Sequence, residues 1–367
     1  MGTIKQNRAN NIVTGGKIDA TDGLNNNVPA TNIANASLTN VTAYPPSAGA
    51  SVSQLASDPP SPTEGQMWYN TTTNTLKQYA LGAGAWASGG SLNTGRTGLG
   101  SAGESNTSAL AFGGQDPAYT AATESYNGTS WTEVNDMVAA NGYMGSAGTQ
   151  TAAISMGGQS PTFKTDTELW NGTSWTEVNN LNTAGSQGTG IGISTSALYV
   201  GRHNSTPPQV FGINESWNGT SWTELADLNT TRRRAFGAGA DNTSGLIAGG
   251  FPNSNPAFTN TESWNGSSWT EVNDLNTARY QGAGSGIQTS ALASGGTNSA
   301  GTAVVANVEE WNGTGWTETT DLTTGKALLG AGGTTTSTVA FGGQTTVVVG
   351  TTEEWTKAVA IQTITAS

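Results

Sequence analysis

Short alternations of polar and apolar residues, each only a few positions long, run through most of the chain. In TESWNGSSWTEV, residues 261 to 272, Glu262 and Trp264 stand two apart before Asn265-Gly266, and Trp269 and Glu271 two apart after it. That is the period of a strand on either side of a turn. Asn-Gly supplies the positive φ angles that a tight hairpin turn needs. The same phrase begins at Glu124, Glu168, Glu215 and Glu309. The tryptophan that opens its second strand, at Trp131, Trp175, Trp222, Trp269 and Trp316, recurs at spacings of 44, 47, 47 and 47. In the repeat of residues 232 to 275, a Gly-rich stretch, RRRAFGAGA, precedes an apolar run that ends in Gly249-Gly250. Each repeat therefore predicts a small antiparallel sheet of about four strands, a to d.

A lone sheet of this size leaves both faces wet, whereas a closed ring buries each sheet against two neighbours and shields the edges. The fold class expected is all-β: a six-bladed β-propeller preceded by an extended N-terminal stem. Strand c occurs six times, at Tyr126, Trp170, Trp217, Trp264, Trp311 and Trp355, but no WTE strand follows Trp355. Upstream, AWASGGSLNTGR sets Trp86, Leu92 and Arg96 in register with Trp269, Leu275 and Arg279. The last blade is thus expected to be closed by the strand at Trp86 pairing with the strand at Trp355. Trp86, Trp131, Trp170, Trp175, Trp217, Trp222, Trp264, Trp269, Trp311, Trp316 and Trp355 are the structural residues of the repeat, filling the wedges between blades.

The rest of the chain divides around this array. Residues 1–62 contain no Trp and end in the Pro-rich DPPSP, and a single chain could bury little there. They form the expected anchor or stem, either a mobile linker or a strand-rich segment that needs partner chains. Residues 63–85 are expected to be a β-hairpin connector, with Trp68, Tyr69 and Tyr79 flanking the turn NTTTN. The propeller spans 86–355, and 356–367 form a C-terminal tail.

Composition narrows the function. Only 10% of residues are charged and the net charge is −12, which disfavours a phosphate-backbone partner, so no nucleic acid is expected. The absence of Cys removes disulfides and thiolate metal sites. The polar start MGTIKQNRANN lacks the apolar core of a signal peptide, and no run approaches the ~20 apolar residues of a membrane span. No membrane insertion is expected, and release by lysis would account for an extracellular location.

Two resemblances follow from these motifs. VPATNIANASLTNVTAYPP followed by EGQMWYNTTTNTLKQYALGAGAW, about residues 24 to 90, resembles the N-terminal portions of tail-fibre and related virion appendage proteins of bacteriophages, notably marine phages. It implies a virion structural protein whose N-terminal part attaches to the particle, binding other virion proteins through residues 1–62, or forms a homo-trimer through that stem. The glycine pair, the aromatic on strand c, the Trp on strand d and the basic residue opening strand a (Arg96, Arg232, Arg279, Lys326) together resemble the kelch repeat over residues 86 to 355. That similarity implies a propeller but no particular chemistry. Gly201-Arg202 departs from the glycine pair, and Asn141 and Gly185 depart from the basic position.

The catalytic inventory is thin. A galactose-oxidase-like copper site needs Cys and several His, and the chain has no Cys and only His203, so no metal, cofactor or catalytic residue is expected. Glu124, Glu168, Glu215, Glu262, Glu309 and Glu353 recur once per repeat, as do Glu133, Glu177, Glu224, Glu271 and Glu318. Catalysis by paired acids needs an asymmetric pair in a cleft, so this regularity points to a structural role such as pairing with a basic residue or solvating a strand. The sequons at Asn127, Asn171, Asn218, Asn265 and Asn312 coincide with the turn and are taken as turn chemistry.

Variation marks where recognition belongs. The segments after strand b differ from repeat to repeat, and in propeller topology they share one face with the segments entering strand a. Tyr119, Phe163, Phe211, Phe251 and Phe258 offer flat faces to sugar rings there, or tuck under their own loops; Lys164, Arg202 and His203 add polar contacts. The function expected is non-enzymatic: a virion appendage whose propeller adheres to a host-surface glycan or protein. A capsid, neck or baseplate decoration that binds only virion proteins is the alternative, and a polysaccharide depolymerase the third.

Overall fold

The structure, a computed structural model, describes residues 12–13, 17–18, 52–204, 209–252 and 256–364. Most of the stem expected over residues 1–62, and parts of the segments after the second strands of the third and fourth repeats, lie outside the described residues. Those described are all-β, without a helix, and fall into two compact units, Ala83–Lys357 and Met1–Gly82 with Ala358–Ser367.

The larger unit holds six four-stranded antiparallel sheets. Four are built from consecutive strands, and the fifth passes over one short strand, Thr297–Asn298, which pairs with Arg279–Tyr280 instead. The fourth, for example, runs Phe236–Asp241, Ser244–Ala248, Thr261–Trp264 and Trp269–Val272. The sixth takes Gly330–Thr334, Ser337–Phe341 and Thr352–Thr356, and its outer strand is Ala85–Gly89 from the start of the unit, with Trp86 opposite Trp355.

The turn between third and fourth strands differs from the two-residue hairpin expected. Four residues connect Trp264 to Trp269, and only the glycine adopts positive φ, +91° at Gly266. The Asn265 carboxamide oxygen accepts the backbone N–H groups of Ser267 and Ser268 at 3.0 and 2.9 Å, so the side chain rather than a left-handed Asn backbone makes the turn.

Each sheet packs its tryptophans on the sheet before it. Trp170 and Trp175 join Leu110 and Phe112 of the first sheet; Trp217 and Trp222 join Ile154 and Met156 of the second. Trp131 of the first sheet closes the series on Val339 and Phe341 of the sixth. The two rings of a sheet sit 5.2–5.5 Å apart and tilted, as for Trp264–Trp269 and Trp311–Trp316, a geometry worth about 0.5–1.5 kcal/mol beyond area burial. The indole N–H groups of Trp175, Trp222 and Trp316 reach back to Thr123, Thr167 and Thr261 of the preceding sheet at 3.0–3.1 Å, and that of Trp131 to Thr352 at 2.9 Å.

First strands approach their neighbours so closely that side chains are excluded. A Cβ on Gly332 of the sixth sheet would stand 2.9 Å from the backbone of Gly103 in the first. Glycine at these positions is therefore a packing requirement, since no other residue lets two backbones meet.

In the smaller unit, the hairpin Met67–Asn70 and Thr75–Leu81 turns at Asn74, φ 55°. Ser53–Leu55 adds a parallel strand on one side. Val359–Ile364 pairs antiparallel on the other, so the C-terminal segment expected as a tail contributes a strand. The reason is local: VAIQTI has strand-forming residues, and the edge of Thr75–Leu81 offers unpaired backbone groups. Asp58 ties the two strands of the hairpin together, accepting from Trp68 Nε1 at 3.0 Å and Asn70 Nδ2 at 2.7 Å and pairing with Lys77 at 2.8 Å. Chiefly the Lys77 hydrogen bond, with those of Asn70 and Trp68, holds its carboxyl down at about 2.

Candidate functional site

The recurrent acid on the third strand is buried in all six sheets. Five are ion-paired: Glu124 with Arg96 at 2.6 Å, Glu215 with Arg202 at 2.7 Å, Glu262 with Arg232 at 2.7 Å, Glu309 with Arg279 at 2.9 Å and Glu353 with Lys326 at 3.2 Å. The other carboxylate oxygen accepts a backbone N–H from the segment entering the same sheet, such as Asn93 at 2.7 Å or Asn229 at 2.8 Å. Burial lowers the pKa of Arg232, Arg279 and Lys326, and the partner glutamate opposes that shift in each. These acids fasten connectors to sheets and sit in no cleft.

Two sheets depart from the rule, each in its own way. In the second, Asn141 stands at the basic position and donates to the Gly157 carbonyl at 2.8 Å, and no ion pair among the described residues includes Glu168. Burial raises the Glu168 carboxyl, while the backbone N–H groups of Val138 and Ala139 pull it down. In the third, the basic position is Gly185, and Arg202 enters from the second strand instead. A Cβ on Gly185 would lie 2.7 Å from Arg202 Cδ, so the aliphatic stem of Arg202 occupies the space that the missing side chain leaves. Arg202 was expected among the ligand-binding residues. It is fully buried, stacked 4.7 Å from the Tyr199 ring centroid and committed to Glu215, and therefore presents nothing to a ligand.

The segments entering the six first strands meet one another. Tyr143 N–H donates to Gly98 O at 2.7 Å, Gln187 to Tyr143 at 2.7 Å, Arg234 to Gln187 at 2.8 Å, Gln281 to Arg234 at 2.9 Å, Leu328 to Gln281 at 2.6 Å, and Gly98 to Leu328 at 3.0 Å. One residue from each sheet thus joins a cycle of hydrogen bonds that returns to its start. All six take positive φ, between 55° and 66°. Five are not glycine, so the cycle and its surroundings offset a backbone cost of order 1–3 kcal/mol at each. Over the cycle lies an open depression of about 110 Å³, lined by Tyr143, Gln187, Arg234, Gln281, Leu328 and their neighbours.

The unlike segments after the second strands gather at the same end. Gln115, Gln159, His203, Phe251 and Gln344 form bridges to residues 97, 142, 186, 233 and 327, each adjacent to a member of the cycle. Phe251 stacks on Tyr280, centroids 4.6 Å apart, with the Arg233 guanidinium 5.3 Å from its ring. Phe163 meets His203 edge-on at 5.3 Å, and the Tyr119 hydroxyl accepts Gln159 Nε2 at 2.5 Å. Lys164 is paired with Asp166 at 3.0 Å, Phe258 lies 5.6 Å from the Arg232 guanidinium, and Phe211 stands opposite Arg202 in the third sheet. Tyr119, Phe163, His203, Phe211, Phe251 and Phe258 are all half-buried, each partly tucked into its own surroundings and partly open.

The residues nearest the cycle, Tyr143, Gln187, Arg233, Arg234 and Gln281, were missed in the sequence because they precede the first strands, where only the recurring basic residue drew notice. One signal was available: Arg232, Arg233 and Arg234 stand in a row in an acidic chain, and the repeat accounts only for Arg232. Among the described residues no group of three or more His, Asp or Glu side chains converges as a metal site. No protein-family model matches the sequence, and a search of curated proteins returns no relative.

Proposed function

We propose that residues 86–355 form one closed six-bladed propeller, and that the protein is a non-enzymatic bacteriophage virion appendage whose propeller adheres to the host surface. The closed reading is supported by the hydrogen-bond cycle through Gly98, Tyr143, Gln187, Arg234, Gln281 and Leu328, by the packing of Trp131 on the sixth sheet, and by the pairing of Trp86 with Trp355. The fibre-like residues 24 to 90 motivate the virion assignment, with attachment or trimerisation through the stem.

The observation that carries adhesion is the contrast between six near-copies of one sheet and the unlike, aromatic-bearing segments gathered at one end. A scaffold that varies only there varies where a partner touches. The recurrent acids of the third strands are instead tied to connectors, five of them in ion pairs as well, while those of the fourth strands are exposed and repeat without a cleft. The fluorescently labelled full chain is expected to bind host cells and to compete with virion adsorption. A chain that does neither, together with density buried among other subunits on the particle, overturns adhesion in favour of a capsid, neck or baseplate decoration.

A further inference from the structure

Two positive charges that no described acid neutralises stand at the cycle: Arg234 lines the depression, and Arg233 precedes it in the chain. Arg96, Arg202, Arg232 and Arg279 each hold a buried glutamate, but no ion pair among the described residues includes Arg233 or Arg234. Both turn instead to one neutral atom: Gln187 Oε1 accepts Arg233 Nη1 at 2.9 Å and Arg234 Nε at 2.8 Å. Among the described residues Arg233 Nε is buried without a hydrogen-bond partner, and so is His203 Nδ1. Burial, then the charges of Arg233 and Arg234, lower the His203 pKa, while burial lowers that of Arg234 to about 10, which leaves the guanidinium charged at neutral pH. An amide oxygen thus stands where a carboxylate would balance the pair.

We propose that this mouth binds an acidic sugar, its carboxylate held between Arg233 and Arg234. Guanidinium forks match the planar carboxylate and give charge-assisted hydrogen bonds roughly twice as strong as neutral ones. Aromatic faces adjoin the pair: Phe251 stacked on Tyr280 beside Arg233, and Tyr143 with its centroid 5.6 Å from the Arg234 guanidinium. Such rings suit the apolar C–H face of a pyranose. The depression, about 110 Å³, has room for one small group at the cycle. Elsewhere the net charge of −12 opposes an extended polyanion, so a single anionic residue of a surface glycan fits better than a nucleic acid strand. The proposal rests on the adhesion reading for its biological meaning, and names the chemistry of the partner at that same end of the unit.

Calorimetric titration of the full chain at constant ionic strength tests it, with sodium glucuronate, glucose and sodium acetate as probes. Saturable binding of glucuronate is expected, with none for glucose and at least tenfold weaker binding of acetate. Arg233→Gln with Arg234→Gln should abolish it. So should Gln187→Glu, which supplies an internal carboxylate to both guanidiniums and so keeps the local packing; unchanged near-UV circular dichroism checks the fold of each variant. No glucuronate binding, equal binding of glucose, acetate as tight as glucuronate, or binding that survives in both variants overturns the proposal. If glucuronate binding is absent while the chain still adsorbs to host cells, this inference fails and adhesion stands; saturable glucuronate binding without adsorption has the opposite meaning.

Discussion

Arg202 and Gly185 show how a repeat conserves a charge pair without conserving its position. Where other sheets send a cation from the segment entering the first strand, the third sends it from the end of the second strand, and Glu215 receives it at 2.7 Å all the same. Removing one member of such a buried pair typically costs about 3–5 kcal/mol, because the other charge stays buried and uncompensated. Arg202→Ala is accordingly expected to lower the urea-derived stability by that amount. Gly185→Arg combined with Arg202→Gly restores the arrangement of the other sheets and should recover at least half of the loss; no recovery would mean that the two positions do not share a space. Glu168 is the complementary case, a buried acid that no ion pair among the described residues includes, with Lys164 acting on it only from a distance. A carboxyl whose pKa is raised in the folded state contributes stability that is complete below its unfolded value, near 4.5, and is lost as the pH rises through the folded value. The stability of wild type relative to Glu168→Gln should therefore fall as the pH rises from 4.5, and denaturant midpoints of both proteins along that rise measure it. A difference that grows with pH would contradict the assignment.

At the scale of the element, the strand Ala85–Gly89 matters more than its five residues suggest. It pairs along Thr352–Thr356, places Trp86 5.3 Å from Trp355, and donates from the Trp86 indole to Thr320 O at 3.1 Å. Trp86 is half-buried, so Trp86→Ala should cost about 3 kcal/mol, the lower end of the range for large aromatic truncations. Trp355, fully buried in the intact sheet, should then become accessible to a fluorescence quencher such as acrylamide. A variant with unchanged stability and unchanged quenching would show that this edge does not need its covering strand.

For the molecule as a whole, regularity and variation have separate homes. The sheets repeat because each must offer the same tryptophan face to one neighbour and the same glycine-lined backbone to the next. The segments over the hydrogen-bond cycle escape that constraint, since their contacts differ from repeat to repeat, as Phe163 meets His203 and Phe251 meets Tyr280. The proposed adhesion by that end would explain the variation, whereas a decoration role would need the same end, or the outer strands, to be covered by other subunits. A map of the intact particle separates these two arrangements directly, because a distal position leaves the mouth open and a buried one does not.

The sequence by itself determined the all-β class, the strands of the repeat and the partnership of Trp86 with Trp355, because period-two alternation and a repeat of 44 to 47 residues are local signals that survive without tertiary context. It also marked the recurrent acids as structural, since six equivalent groups cannot all be one asymmetric site. Tertiary structure alone decided that Arg202 is buried behind Gly185, that the C-terminal segment pairs with Thr75–Leu81, and that Tyr143, Gln187, Arg234 and Gln281 meet at one place. Those outcomes depend on which distant backbones approach, and residues some 45 positions apart carry no mark in the chain of the cycle that brings them together. The two spare arginines of RRR were visible from the start, but only the folded chain gives them a neutral partner in place of an acid, and so a reason to seek an anion.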